Sequence, residues 1–145
     1  MELKIMQSPE VKETRITIEC QSVTQNLRRL INVIQNMETF IIGYQEKSSF
    51  KIPVDSILYI ESIENRTFLY TRSDTFDSRQ RLYELEKKLA DLDFIRISKN
   101  TIVNLHQIEQ VRSIGISKLE LVLVNKERLI VNRNYLYYFK QKFMD

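Results

Sequence analysis

Residues 96–104 of this chain are Arg96-Ile97-Ser98-Lys99-Asn100-Thr101-Ile102-Val103-Asn104. The strand-like alternation of apolar and polar side chains is interrupted at Ser98-Lys99-Asn100 and then resumes. Polar residues between two strand patterns are typical of a turn, which exposes their side chains to solvent. We therefore expect a pair of strands that hold a polar loop rigidly at their tip.

Short strand patterns occupy most of the chain on both sides of this stretch. Helical spacing instead predicts a helix around Leu82, Leu85 and Leu89, with Ser78 as its cap, and a last helix that begins at Asn132 or Asn134. Many short strands and few helices favour a mainly β (α+β) fold with antiparallel sheets. The predicted strands are Phe40–Ile42, Phe50–Ile52, Ile57–Ile60, Thr67–Thr71, Thr75–Phe76, Phe94–Ile97, Thr101–Val103, Ile108–Ile114, Leu119–Val124 and Arg128–Val131.

The N-terminal part has a different pattern. Arg15–Cys20 alternates with period two and predicts a strand, and Ser22 with Gln25 forms a capping box that predicts the start of an amphipathic helix. The apolar residues of that helix are Val23, Leu27, Leu30, Ile31, Ile34 and Met37. We predict a small βα extension over residues 1–38 and a main β domain over residues 39–145.

Composition indicates an ordinary globular protein of 145 residues with a formal net charge of +3. The single cysteine, Cys20, excludes an internal disulfide, and no apolar run is long enough for a signal peptide or a membrane span. We therefore expect a cytoplasmic protein. The C-terminal third is basic: from residue 96 onward it contains Arg96, Lys99, Arg112, Lys118, Lys126, Arg128, Arg133, Lys140 and Lys142 against Glu109, Glu120, Glu127 and Asp145. Charge alone favours an ordinary solvated, lysine-rich surface over a nucleic-acid partner.

Sequence motifs for catalysis or for cofactor binding are missing. Gly43 and Gly115 are too far apart for a phosphate-binding loop, and His106 has no second metal ligand at a suitable spacing. Neighbouring carboxylates such as Glu84 and Glu86 are typical of a solvated helix face. We expect a protein that is not an enzyme, with no cofactor, no metal and no small-molecule substrate.

The order and spacing of several segments resemble the LytTR family of bacterial DNA-binding domains over about residues 39–143. The resemblance implies an elongated antiparallel β fold that inserts loops into successive major grooves of double-stranded DNA at direct repeats. Many members carry a receiver domain, but only about fifty residues precede Pro53 here, too few for one, so we expect a stand-alone bacterial transcription regulator. The matching segments are Ile57–Glu61, Asn65–Tyr70, Leu82–Leu89, Phe94–Asn104 and Leu129–Tyr135.

Candidate DNA contacts carried over from this resemblance lie in three loops. Arg133 is the best candidate for reading bases, since its planar fork of donors can bind guanine at two points. Lys99 suits a phosphate or an adaptable guanine contact. Ser98 stands where many members have histidine, so it can alter the DNA preference. The full set is Asn65, Arg66, Thr67, Ser98, Lys99, Asn100, Arg133, Asn134 and Tyr138.

The aromatic cluster near the C-terminus has two predicted roles. Tyr135, Leu136 and Phe139 can share one core-facing stripe of the last helix, whereas Tyr137 or Tyr138 projects outward and can place its hydroxyl on a phosphate. This arrangement is a simpler interpretation than stacking on single-stranded nucleic acid.

Two questions stay open on the sequence alone. The helix face of Leu27, Leu30, Ile31 and Ile34 can form a homodimer interface or can pack on the chain's own sheet. Within the family, members without a receiver domain are often accompanied by a restraining membrane protein, so a membrane-protein partner is a further expectation. The alternative function is a β-rich protein-interaction module that pairs with another regulator or with a membrane partner.

Overall fold

A computed structural model describes residues 1–37 and 39–144 and contains two antiparallel sheets. The first sheet has seven strands in the order β2-β1-β5-β4-β3-β7-β6, and the second has three in the order β10-β9-β8. The strands are β1 (Phe40–Gln45), β2 (Ser48–Pro53), β3 (Ile57–Ile63), β4 (Arg66–Thr71), β5 (Thr75–Ser78), β6 (Phe94–Ser98), β7 (Thr101–Asn104), β8 (Ile108–Ser113), β9 (Leu119–Leu123) and β10 (Arg128–Val131). The helices are α1 (Gln25–Asn36), α2 (Leu82–Leu89) and α3 (Leu136–Met144).

The predicted fold class is confirmed, because the sheets are antiparallel throughout and the helices are few and short. Each predicted strand from residue 40 onward is present, with ends that differ by a few residues. The opening stretch forms the β6–β7 hairpin, in which Ser98 stands opposite Thr101. The polar interruption is therefore a turn between two paired strands, as its pattern predicts.

Two apolar cores lie on opposite faces of the seven-stranded sheet. One face is covered by α2, whose Leu85 and Leu89 are fully buried together with Ile60, Leu69 and Ile102 of the sheet. The other face packs against the three-stranded sheet and α3. Its core includes Leu58, Tyr59, Ile97, Val103, Leu121, Leu123, Val131 and Phe139. Burial of these side chains fixes the three-stranded sheet and α3 on the body.

The junction between the two sheets contains a partly buried polar contact. The Tyr59 hydroxyl donates to Glu127 Oε2 at 2.6 Å, and this joins β3 to the turn between β9 and β10. Burial, with help from the Glu127 hydrogen bond, raises the pKa of Tyr59 well above its ordinary value. Burial and the nearby Glu127 carboxylate also raise the pKa of Glu61 from 4.5. The junction therefore disfavours negative charge.

The caps of α1 and α2 differ from the predicted ones, whereas Asn132, one of the two caps predicted before the last helix, is confirmed. α1 is capped by Thr24, whose hydroxyl oxygen accepts from the Leu27 N–H at 3.2 Å, and Ser22 lies outside the cap. α2 follows Arg81, whose N–H donates to Glu84 at 3.2 Å, whereas the predicted cap Ser78 ends β5. At the C-terminal helix, Asn132 is the cap, because its side chain accepts from the Asn134 N–H. The first plausible serine is therefore not the cap at α1 or at α2, where the helix begins at a residue further along the chain.

The N-terminal extension corrects one prediction. Arg15–Cys20 pairs with no strand in the described chain, although the helix that follows it is present as α1. A period-two pattern gives a strand only where a neighbouring strand supplies hydrogen-bond partners. Leu27, Ile31 and Ile34 of α1 are half-buried. The predicted boundary at residue 38 lies outside the described residues.

Asp93 connects three elements of the fold. It adopts the left-handed conformation (φ 60°) just before β6, a conformation that aspartate tolerates better than most residues. Its Oδ2 accepts from Asn32 of α1 at 2.8 Å and lies 2.9 Å from the His106 ring, while its Oδ1 lies 3.9 Å from Lys142 of α3. His106 is exposed at the turn before β8.

Candidate nucleic-acid interface

Three loops lie side by side along one edge of the molecule, because backbone hydrogen bonds tie each loop to the next. The Ser62 N–H donates to the carbonyl of Asn100 at 2.8 Å, which places the β6–β7 turn beside the β3–β4 hairpin. The Asn132 N–H donates to the carbonyl of Ile97 at 2.8 Å, which places the turn before α3 on the other side. The turns that carry Asn65, Lys99 and Arg133 are thus brought together in a row.

The β3–β4 loop is a tight two-residue turn. Glu64 and Asn65 have positive φ values of 49° and 66°, the conformation of hairpin turns that match the twist of their strands. Asn65 is exposed at the tip. Arg66 is exposed as well, but its guanidinium donates to Asp77 at 2.7 Å and lies 5.0 Å from the centre of the Phe68 ring. Arg66 is therefore held by two side-chain contacts, whereas no side-chain hydrogen bond or ion pair holds Asn65 in the described part of the chain.

Thr67 does not fit the predicted set of DNA contacts, because it is only 5% exposed. It lies two residues before Leu69, so both side chains share the strand face that packs on the α2 side of the sheet. Strand alternation in the sequence, with Leu69 as the core residue, is the signal that separates Thr67 from its exposed neighbours.

The β6–β7 turn exposes Lys99 and Asn100 and half-buries Ser98. Arg96 supports this turn from behind: its Nη1 donates to the Lys99 carbonyl at 2.6 Å and its Nε donates to Glu86 of α2 at 2.7 Å. The Ser98 hydroxyl oxygen accepts from the Asn100 N–H at 3.3 Å, so its own proton is left to donate outward. The turn therefore presents an ammonium, an amide and a hydroxyl from a fixed backbone.

Arg133 follows the Asn132 cap in a single 3-10 turn and is exposed. Asn134 is exposed next to it, and its N–H is taken by the Asn132 side chain at 3.3 Å. A groove of about 610 Å³ separates this turn from the loop between β8 and β9. It is lined by Ser98, Ile116, Ser117, Lys118, Ile130, Val131, Asn132 and Arg133.

Lys118 is a candidate contact that the sequence did not single out. The β8–β9 loop is shaped by Gly115 (φ 146°), by Ser117 (φ 60°) and by a hydrogen bond from the Ile114 N–H to the Lys118 carbonyl at 3.2 Å. Gly115 is a sequence signal for an irregular turn. That this turn lies beside Arg133 depends on the strand order β10-β9-β8, which the sequence does not reveal.

The outer face of α3 carries the predicted tyrosines. Tyr135 and Phe139 contribute to the core, as predicted, while Tyr137 and Tyr138 both project outward. Their rings meet edge to face with centres 5.8 Å apart. The Tyr137 hydroxyl accepts from Gln141 at 2.8 Å, and Tyr138 offers an exposed hydroxyl.

The basic side chains of this region fall into two groups. Arg96, Arg112, Lys126, Arg128 and Lys142 each have a carboxylate within ion-pair distance. In the part of the chain that the structure describes, none of Lys99, Lys118, Arg133 and Lys140 has such a partner. The first three of these border the loop row, which therefore has uncompensated positive charge.

Among the described residues, no helix is long and apolar enough to cross a membrane, and no cluster of three or more His, Cys, Asp or Glu side chains is arranged to hold a metal ion.

The family profile described as LytTr DNA-binding domain matches residues 47–144. The chain belongs to the LytTR family. A LytTr DNA-binding domain from Bacillus cereus has the same fold, with a TM-score of 0.69 at 24% identity over 72% of this chain and 96% of that one. This LytTR chain therefore contains a DNA-binding domain of that family.

Curated relatives of this LytTR protein match it along most of its length. An uncharacterized HTH-type transcriptional regulator of Staphylococcus aureus strain NCTC 8325 is 28% identical over 98% of this chain and 97% of its own length. Another, from strain MRSA252, is 30% identical over 76% of each chain. Strands separate every pair of successive α-helices in the described part of this chain, so the term HTH-type in those names does not describe its fold.

Proposed function

We propose that this LytTR protein is a cytoplasmic bacterial transcription regulator that binds double-stranded DNA with sequence specificity through its row of loops. The observation that carries the proposal is the rigid alignment of three loops by the Ser62–Asn100 and Asn132–Ile97 hydrogen bonds. Uncompensated cations on adjoining rigid loops are suited to the phosphate backbone, which supplies most of the binding free energy. The proposal includes no catalytic step and no cofactor.

Base reading falls to Arg133 in this proposal. Its exposed guanidinium lies on a capped turn, and a bidentate contact with guanine is worth about 1–3 kcal/mol of discrimination. Lys99 and Lys118 flank it as phosphate contacts, since a lysine ammonium is a flexible point charge. Ser98 lines the groove beside Arg133 and donates to a base edge or to a phosphate.

The remaining predicted contacts take supporting positions. Asn65 and Asn100 reach base edges or phosphates from exposed turns. Arg66 contacts DNA only if its guanidinium leaves Asp77 and binds a phosphate instead. Loss of the ion pair then lowers its net contribution to the binding free energy. Asn134 and Tyr138 bind the backbone that flanks the site of Arg133.

Two copies on paired direct repeats are the finer part of the proposal, with loops from each copy in successive major grooves. A footprint on the bound promoter tests it. Two protected segments of like sequence and like orientation, spaced by whole helical turns, are expected. A single protected half-site would contradict the repeat arrangement but not the binding itself.

A protein-interaction module that pairs with another regulator or a membrane protein is the second candidate. It is favoured by the many apolar side chains that residues 1–37 expose. Such a module needs no uncompensated cations along the loop row, whereas DNA binding does. The two functions therefore differ in their dependence on salt.

A salt series on DNA from the protein's own promoter region discriminates between them. Each phosphate contact should contribute a slope of about −0.9 to the plot of log K against log salt concentration. We expect a steep slope with DNA and a preference for one fragment over shuffled sequence. Salt-insensitive binding, or none to any genomic fragment, would contradict the DNA-binding function.

A further inference from the structure

Residues 1–37 expose an unusual amount of apolar surface. Half of the exposed large apolar side chains in the described chain lie in this first quarter. Where such side chains come together in one patch, they mark a surface that another protein covers. The residues concerned are Met1, Leu3, Ile5, Met6, Val11, Ile16, Ile18, Val23, Leu30, Val33 and Met37.

The segment Arg15–Cys20 combines a strand pattern with the absence of a strand partner in the described chain. Ile16 and Ile18 are 59% and 39% exposed, and they point to one face together with Cys20 if the segment is extended. A strand of this kind needs both a hydrogen-bonding neighbour and an apolar layer beneath it.

A second copy of the same segment is complementary to the first in one antiparallel register. When Thr17 stands opposite Thr17 of the second copy, Ile16 faces Ile18 and Arg15 faces Glu19. Each pair occurs twice because of the two-fold symmetry. Opposite charges and β-branched side chains are favourable cross-strand partners.

The apolar layer beneath such a ribbon is available on α1. Leu30, Val33 and Met37 are exposed and recur at helical spacing, on a stripe beside the half-buried Leu27, Ile31 and Ile34. Two strands over two helices form the kind of layered arrangement that buries both apolar faces.

We propose that residues 15–19 of two copies pair as an antiparallel ribbon centred on Thr17, and that the ribbon packs on the Leu30-Val33-Met37 stripes of both α1 helices to make a homodimer. An interface of standard size uses about 20–30 residues from each partner, and residues 11–37 supply that many. The dimer forms without DNA, so its failure and the failure of the proposed DNA-binding function are observed in separate experiments.

Disulfide trapping tests the register in the full-length protein. In a Cys20→Ser background, Thr17→Cys places the two thiols on opposing strand positions about 4.5–5.5 Å apart between Cα atoms, within the range for a disulfide. Glu13→Cys is the matched control, because its two copies lie about 27 Å apart in this register. We expect a covalent dimer on mild oxidation of the first variant only. Equal trapping of both would overturn the register.

Charge exchange tests the pairing by sedimentation. Arg15→Glu opposes two carboxylates at two places, so the dimer should weaken roughly tenfold or more. The double variant Arg15→Glu/Glu19→Arg restores the complementarity and should return to within about threefold of the parent. Wild-type protein that is monomeric at micromolar concentration, with its apolar surface then left for another protein, would overturn the proposal, and so would a double variant as weak as the single one.

Discussion

Two groups of cations in the basic C-terminal region have different surroundings. The three-stranded sheet and its β9–β10 turn carry Arg112, Lys126 and Arg128, each with an acid at ion-pair distance. The loop row is bordered by Lys99 and Arg133, and neither has such an acid in the described chain. Lys126 contacts Glu109 at 2.7 Å, and both arginines approach the same oxygen of Glu120, at 3.6 and 3.5 Å. All of these residues belong to one basic region of the sequence. A count of charges thus locates a basic region, but the carboxylates that the fold places nearby decide which of its cations remain available for a partner.

The largest effect should come from Arg133→Ala. Loss of a bidentate contact with guanine costs about 1–3 kcal/mol, so the Kd for the specific site should rise by roughly 5–150-fold. Preference at the contacted base pair should relax as well. Fluorescence anisotropy on the footprinted site and on its single-base-pair variants measures both quantities. An unchanged preference would assign base reading to another loop.

Lys99→Ala should weaken binding to all sequences alike. One phosphate contact contributes a slope of about −0.9 in log salt, which corresponds to roughly eightfold in affinity at 0.1 M salt. The slope of the salt plot should become shallower by about the same amount. If the loss is instead confined to a particular sequence, then Lys99 reads bases.

Glu61 differs from the acids of the three-stranded sheet, because its charged neighbour is the Glu127 carboxylate and not a cation. The variant Glu61→Gln tests the effect of this arrangement on stability. The raised pKa of Glu61 means that the folded state resists its ionisation, so the ionised group destabilises the fold above the folded-state pKa. Glutamine removes this effect, and the melting temperature at pH 7 should rise by about 1–2 °C. The gain should shrink as the pH falls through the folded-state pKa and should vanish below about 4.5, where the side chain is neutral in both states. A gain that is the same at pH 4 and pH 7 would exclude an ionisation effect.

Lys126→Ala is the matched control for Lys99→Ala and should have the smallest effect. Its charge is already compensated by Glu109, and an exposed ion pair contributes only about 0–1 kcal/mol to stability. The Kd for DNA should stay within about twofold of the wild type, with the same salt slope. A loss equal to that of Lys99→Ala would break the distinction between the two groups.

The sequence predicted the strands from residue 40 onward because period-two patterns there are bounded by turn residues and have neighbours to pair with. The bounds of α2, Leu82–Leu89, and of β10, Arg128–Val131, follow directly from the apolar spacing. Arg15–Cys20 shows the limit of this reasoning, since the same pattern forms no strand where the single chain offers no partner. Pairing is a tertiary property, which a local pattern cannot specify.

The sequence was enough to predict which loops form the candidate site, but not which side chains surround each residue in them. The polar interruptions and the family resemblance together indicated the turns at Asn65, Lys99 and Arg133. They did not reveal that Arg66 is paired with Asp77 or that Lys118 lies beside Arg133, because both facts depend on the order and register of strands. Thr67 could have been excluded from the sequence by its alternation with Leu69.

The Asp93 carboxylate has a consequence for symmetry. Two-fold pairing of the N-terminal segments would present the two DNA-binding domains head to head, whereas direct repeats offer the same orientation twice. If both proposals hold, one domain has to rotate relative to its own α1, and this rotation opens the Asn32–Asp93 hydrogen bond. The contacts of the carboxylate with His106 and Lys142 do not involve α1 and remain when Asn32 leaves. The Asn32–Asp93 hydrogen bond is therefore one of the contacts of α1, together with the half-buried Leu27, Ile31 and Ile34, that decide whether the proposed dimer can bind the proposed direct repeats.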